Sequence, residues 1–379
     1  MSIQAEEVRD IVDFAPQDFL VTSFYLDVNA AEFPDPDHVQ KSLDSLLHTA
    51  REQRDEMAAT LSHGASESLR QDLDAIEHWV QEGFDRQDTN GLAIFSCSAV
   101  DFWEVMQMPT PVVSRVDFGS HARVAPIATF LSHNKPTAIL LADRQNARIF
   151  TTKAGEVREW ADIERYVPGR SAAGGWSQAR YARHRENFAK HNIDHATELM
   201  LRLKRAYPFN WLILGAEVQA ETELKASLHP YLKDLVIGTI HVRIDAETAE
   251  VAAAAQDIEE EAESHLIDNL MSQIQEYRGA GGRGTIGLDE TLRALNEQKI
   301  HIMLLQEGYS HRGAVCQNCG MLFGTETSMC PACNRDAIPV EDIVEPAVQR
   351  AFELGSTVEV ATEQDKLVPI GCIGSVMYY

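Results

Sequence analysis

The chain has 379 residues and carries 58 Asp and Glu against 33 Lys and Arg, a formal net charge of −25. That length exceeds one ordinary domain, and 44% hydrophobic residues are enough for real cores. Taken alone, the charge argues against a polyanion-binding protein. No apolar run nears the roughly 20 residues of a membrane span, and the opening Met-Ser-Ile-Gln-Ala-Glu-Glu lacks the basic and apolar regions of a secretory leader, so a soluble cytoplasmic protein with no membrane partner is expected.

In chain order, residues 20–28 predict a strand. A helix follows with Val39, Leu43, Leu46, Leu47 and Ala50 on one face, and Gly64 and Ser66 interrupt it before a second helix carrying Leu69, Leu73, Ile76 and Val80. Gly91–Ala99 and Phe102–Met106 predict a hairpin, and the proline-marked stretch 107–118 reads as a boundary. Residues 1–125 are therefore expected to form an α+β domain.

Strands at 137–142, 147–152, 211–215 and 235–240 alternate with helices, among them one from about Ser177 to Ala206 with Ser177 as its N-cap. A long helix over about 247–278 closes this region, so 126–278 reads as an α/β middle domain. The run of Asp and Glu among alanines between Asp245 and Asp268 reads as an exposed face of that helix. Gly279–Gly284 formally matches G-x-G-x-x-G, but a helix and not a strand precedes it, which argues for a linker rather than a nucleotide site. Helices at 288–296 and 343–354 and strands at 301–305, 357–361 and 370–379 make 286–379 a third, α/β domain.

Two stretches carry chemistry. Residues 169–185 place Gly174, Gly175, Trp176, Ser177 and Gln178 ahead of a helix studded with Arg180, Arg183 and Arg185, with Arg170 before it. A glycine tip can approach a nucleic-acid backbone closely, and the cations behind it can hold phosphates. From Pro168 to Ala206, eight Lys and Arg face three Asp and Glu, a local charge of +5 on an acidic body, which can focus RNA onto one face. The alternative is a solvated basic helix. Trp176 either stacks on a base or anchors the loop from beneath. His191 and His195 have the i, i+4 spacing of metal ligands, with Asp194 as the one nearby carboxylate.

The second stretch is Cys316-x2-Cys319 and Cys330-x2-Cys333, ten residues apart, with Gly320 and Pro331 beside the pairs. Two such knuckles can close a tetrahedron of thiolates around zinc, a structural site with no position left for water. Two disulfides are the competing reading, disfavoured in the cytoplasm. The ribbon, about 311–338, would be an insertion in the third domain. Cys97 and Cys372 read as small buried residues.

These features together resemble the archaeo-eukaryotic class-I peptide-chain release factors and their relative Pelota, in a bacterial branch. The likeness rests on Gly174-Gly175-Trp176-Ser177-Gln178 with its basic helix, on the closing Ile370-Gly371-Cys372-Ile373-Gly374, and on the four-cysteine ribbon. It covers about 130–379 and is weak before that. The resemblance implies three domains, the middle one ribonuclease-H-like, with the loop delivered to the peptidyl-transferase centre of the large ribosomal subunit. There Gln178 would position the water that attacks the peptidyl-tRNA ester, its backbone N–H would bond the developing 3′ oxygen, and Gly174 and Gly175 would allow the approach. Trp176 and Ser177 separate the glycines from the glutamine, a departure shared with the quality-control peptidyl-tRNA hydrolases that cut near the tRNA 3′ end. The first domain lacks the Asn-Ile-Lys-Ser stop-codon motif. Ribosome rescue without stop-codon reading is expected, with the ribosome and peptidyl-tRNA as partners and a translational GTPase as a further one. A non-catalytic hibernation or stalling factor and a nuclease acting at the tRNA acceptor end are the alternatives.

Overall fold

The computed structural model describes residues 5–33, 36–82, 84, 86, 89–143, 146–153, 156–164, 194–216, 218–279 and 282–378. The elements run α1 (Ala5–Asp13), β1 (Val21–Asp27), α2 (Pro36–Met57), α3 (His63–Gln81), β2 (Gly91–Cys97), β3 (Phe102–Met108), β4 (Arg115–Gly119), α4 (Ala125–His133), β5 (Thr137–Ala142), β6 (Asn146–Lys153) and β7 (Glu156–Glu164). After the helical residues 194–206, here α5, come β8 (Trp211–Gly215), α6 (Val218–Ser227), α7 (Pro230–Lys233), β9 (Val236–Ile240) and α8 (Thr248–Gly279). The remainder is β10 (Gly284–Ile286), α9 (Leu288–Asn296), β11 (Ile300–Gln306), β12 (Gly313–Cys316), β13 (Leu322–Phe323), β14 (Ala337–Val340), α10 (Val344–Glu353), β15 (Thr357–Ala361) and β16 (Ile373–Met377). The chain is thus a mixed α/β protein with several sheets. Its residues cluster into two compact units, 1–133 with 267–379, and 134–266.

In the first unit an antiparallel sheet of order β3-β2-β1-β4 carries α2 and α3 on one face. The apolar stripe read from the sequence does the packing: Val39, Leu43, Leu47, Leu73, Ile76 and Val80 bury against Phe24, Leu26, Leu92 and Ile94. Two sequence expectations shift here. The break between the helices lies before Gly64, because Ser62 accepts from the Ala65 amide at 3.2 Å and caps α3, leaving Gly64 in its first turn. The stretch 107–118 is not a boundary. Pro109 and Pro111 lie in a turn outside the ladder, as proline requires, and β4 then returns to pair with β1 from Val21↔Gly119 to Tyr25↔Arg115.

Asp72 of α3 is fully buried beneath this sheet. It accepts from Thr22 Oγ1 (2.8 Å), Ser96 Oγ (2.8 Å), and both the amide (2.7 Å) and hydroxyl (2.5 Å) of Ser98. Four donors on one carboxylate offset the cost of burying it and tie α3 to β1 and to the end of β2. Asp72→Ala leaves those donors unpaired and should cost about 3–5 kcal/mol, read as a lower urea midpoint in equilibrium unfolding. A loss under about 1 kcal/mol would mean water replaces the carboxylate without penalty.

A second sheet of the same unit, β10-β16-β11-β15, pairs β11 parallel with β15 and antiparallel with β16. A separate three-stranded sheet, β13-β12-β14, is inserted between β11 and α10. Glu345, in the first turn of α10, accepts from the Val124 (2.5 Å) and Ala125 (3.0 Å) amides at the start of α4 and lies 3.2 Å from Arg123 Nε. Burial holds its carboxyl up at about 7, against the pull of Arg123 and the two amides. The closing strand read from the sequence at 370–379 is shorter, Ile373–Met377, because Val368–Ile370 form a 3-10 turn ending at Gly371 with φ +74°.

In the unit 134–266 five strands lie in the order β7-β6-β5-β8-β9. β5, β8 and β9 are parallel, and β6 is antiparallel to both β5 and β7. Counted from β5 this is 3-2-1-4-5 with the second strand reversed, a ribonuclease-H-like arrangement. Ala138, Leu140 and Leu214 face Ala196, Met200, Leu203, Leu224 and Leu232 of α5–α7. Ile139, Leu141 and Phe150 face Val251, Ala255 and Ile258 of α8. A Cβ on Gly238 of β9 would lie 2.5 Å from Ile258 Cγ2, so the residue must be glycine for α8 to seat. Glu250, Asp257, Glu260 and Glu261 of α8 point to solvent, as expected of that acidic run. Glu259 instead turns in and accepts from Thr152 Oγ1 at 2.9 Å.

Candidate functional site

The register fixes where the glycine-rich segment leaves the sheet. Glu164 pairs with Asn146, Ala142 with Ala147, and Leu141 with Gly215. The end of β7 therefore lies at the edge where the parallel strands β5, β8 and β9 finish, the edge at which open α/β sheets gather ligands. Residues 165–193 lie outside the described residues. So do Arg170, Gly174, Gly175, Trp176, Ser177, Gln178, Arg180, Arg183, Arg185 and His191. Description resumes at Asp194, and α5 then leads to Trp211 of β8, whose partner Thr137 marks the opposite edge.

Three cations of the basic stretch are described. Arg202 pairs with Glu198 one turn back at 2.8 Å. Lys204 turns onto the Phe209 carbonyl and ring, and burial lowers its pKa. Arg205 is exposed. His195 is half-buried in the first turn of α5, with Nδ1 lacking a hydrogen-bond partner among the described residues.

The four cysteines do converge. The sulfurs of Cys316, Cys319, Cys330 and Cys333 all lie within 4.8 Å of one another, the one such cluster of His, Cys, Asp or Glu among the described residues. Each knuckle is closed by backbone. Gly320 N–H donates to Cys316 O at 2.9 Å, and Asn334 N–H to Cys330 O at 2.9 Å. Gly320 and Asn334 both adopt the left-handed region, φ +68° and +54°, which lets the chain reverse beneath the sulfurs.

The amides also prepare thiolates. Cys319 and Asn318 N–H groups aim at the Cys316 sulfur and bring its pKa down to about 6. The Met321 N–H aims at Cys319 and lowers its pKa, yet the crowd of neighbouring sulfurs pushes that thiol up to about 12. Four sulfurs this close cannot all ionise without a cation among them. An all-sulfur set of four suits a soft tetrahedral ion such as zinc. All six cysteines are free thiols, and the disulfide reading is not realised. Cys97 is buried as expected, whereas Cys372 is half-exposed.

The ribbon is also held from outside, by residues that cysteine spacing does not reveal. Asn296 at the end of α9 pairs both ways with Leu322 of β13: Nδ2 donates to the Leu322 carbonyl and Oδ1 accepts from its amide, each at 2.9 Å. Arg350 of α10 donates through Nη2 to Gly320 O at 3.1 Å.

Residues 123–260 match the model of bacterial archaeo-eukaryotic release factor family 10. The chain is 27% identical over 260 residues to peptide chain release factor subunit 1 of Thermococcus sibiricus, covering 62% of this chain and 63% of that protein, just under two thirds of its length. It is 24% identical over 375 residues to the protein of that name from Thermococcus kodakarensis, covering 88% and 90%. Among solved structures it aligns with an archaeal translation termination factor, aRF1, at 15% identity over 100% of this chain and 99% of that one, with a TM-score of 0.27. The sequence matches bear out the resemblance to release factors: the chain is similar to the archaeo-eukaryotic release factors. No helix among the described residues is long and apolar enough to cross a membrane.

Proposed function

We propose that this chain is a release-factor-like hydrolase that frees nascent peptide from peptidyl-tRNA in ribosome rescue, without reading a stop codon. In this reading the three segments 1–125, 126–278 and 286–379 act as N-terminal, catalytic and ribbon-bearing domains in the cytoplasm. The observation that carries it is the match to release factor sequences across a middle segment that includes Gly174-Gly175-Trp176-Ser177-Gln178. Support comes from the end of β7, Glu164, which lies at the carboxyl edge of β5 and β8.

The Gln178 carboxamide orders the attacking water and its backbone N–H bonds the developing 3′ oxygen, with Gly174 and Gly175 permitting close approach. Trp176 stacks on a base at the tRNA 3′ end, and Arg170, Arg180, Arg183 and Arg185 grip phosphates. The four cysteines hold a structural zinc. The partners are the large ribosomal subunit, peptidyl-tRNA and, by the same resemblance, a translational GTPase.

Binding to stalled ribosome–tRNA complexes tests the phosphate grip. Replacing Arg180 and Arg183 by Ala should weaken binding and reduce the slope of log K against log salt by about 1.4, at roughly 0.7 per phosphate contact on a single strand. An unchanged slope would put both residues away from phosphate.

A further inference from the structure

We propose that Arg350 is a positioning residue for the metal site, acting on Cys319 through one peptide plane. The Gly320–Met321 peptide has its carbonyl on one side and its N–H on the other. Arg350 Nη2 donates to that carbonyl at 3.1 Å, on the residue that follows Cys319, and the N–H of Gly320 itself donates to Cys316 O at 2.9 Å. A cation on the carbonyl fixes this peptide plane and with it the turn that carries Cys319. The guanidinium is itself steered by Glu353, whose Oε2 lies 3.4 Å from Arg350 Nε.

Gly320 is shaped for this contact. A Cβ there would lie 2.4 Å from Arg350 Nη2, and its φ is +68°. Helix α10 thus supplies to the first knuckle what outer hydrogen-bond partners supply to metal ligands generally: orientation of the ligand. Asn296 does the coarser work, holding β13 by both backbone groups of Leu322. Neither residue belongs to the Cys-x2-Cys pattern, and both come from helices packed outside the ribbon.

The inference rests on the metal reading of the four cysteines but not on the RNA chemistry. Its test is cobalt(II) titration of the full-length protein, stripped of metal and reduced, followed by zinc competition against a chromophoric chelator. The wild type should take up one cobalt per chain with the absorption of a four-thiolate tetrahedron. Arg350→Met should bind cobalt and zinc about 10–100-fold more weakly. Arg350→Lys, which restores a cation at the carbonyl, should recover most of the affinity and guards against a variant that merely folds poorly. Wild-type affinity in Arg350→Met would overturn the inference while leaving the metal site intact. A wild type that binds no cobalt would instead overturn the metal reading on which the inference rests.

Discussion

Gln178→Ala is expected to slow release of nascent peptide from stalled ribosome–tRNA complexes by about 10²-fold, the order of rate lost when an attacking group is misplaced. Binding to the same complexes should change by less than about two-fold, because the cations proposed to grip phosphate remain. A carboxamide has no useful basicity, so its contribution is to order the attacking water, and the backbone N–H proposed to bond the developing 3′ oxygen is kept in alanine. Removing such a group lowers the rate without weakening the ground-state complex. Gln178→Glu is the sharper variant. It keeps the shape but replaces the side-chain donor with an anion facing developing negative charge, and should be no more active than alanine. Single-turnover release with saturating protein separates the two effects. Full release by Gln178→Ala would remove this residue from the chemistry.

The second large effect is expected at the ribbon. Its own apolar core among the described residues is small: Ala314, Leu322 and Ala337 are buried together with Cys316 and Cys330. A core of that size does not hold three short strands by itself. On the proposed metal reading, binding supplies the difference, about 10–16 kcal/mol in isolated four-ligand zinc modules at neutral pH. Chelation, or Cys316→Ser with Cys333→Ser, should therefore open β12–β14. The readouts are one metal equivalent per chain lost, the remaining thiols becoming reactive, and amide exchange in 313–340 rising toward the unfolded rate. Exchange in β5 and β8, which belong to the other unit, should not change. Slow exchange in 313–340 with less than about half an equivalent of metal bound would show that the ribbon stands on its hydrogen bonds and small core alone.

Much of the fold was legible in the sequence because its elements are strongly periodic. Leu43 and Leu47, Leu69 and Leu73, and the runs 137–142 and 211–215 each bury where their pattern places them. The cysteines were legible because a metal site writes its ligands into local spacing. What was hidden depends on contacts between distant parts of the chain. Asp72 looks like one more acidic residue on a helix until Thr22, Ser96 and Ser98 close on it. Arg350 reads as a surface cation, although it lies 30 residues from the Gly320 carbonyl it holds. The prolines at 109 and 111 were misread because a turn and a domain boundary use the same residues, and only the pairing of β4 with β1 separates them. Charge summed along the sequence also cannot show that Lys204 lies over the Phe209 ring or that Arg202 pairs with Glu198.

The most direct measurement is to incubate the protein with peptidyl-tRNA carrying distinct labels on its peptide and on its RNA 3′ end, on stalled ribosomes and free in solution, and to determine the 3′ terminus of the RNA product. The account predicts free peptide and a tRNA ending in its intact terminal adenosine, formed on the ribosome and abolished by Gln178→Ala. A tRNA shortened at its 3′ end would contradict ester hydrolysis and make the protein a nuclease. An unreacted substrate that stays bound to protein and ribosome would make it an occupying factor.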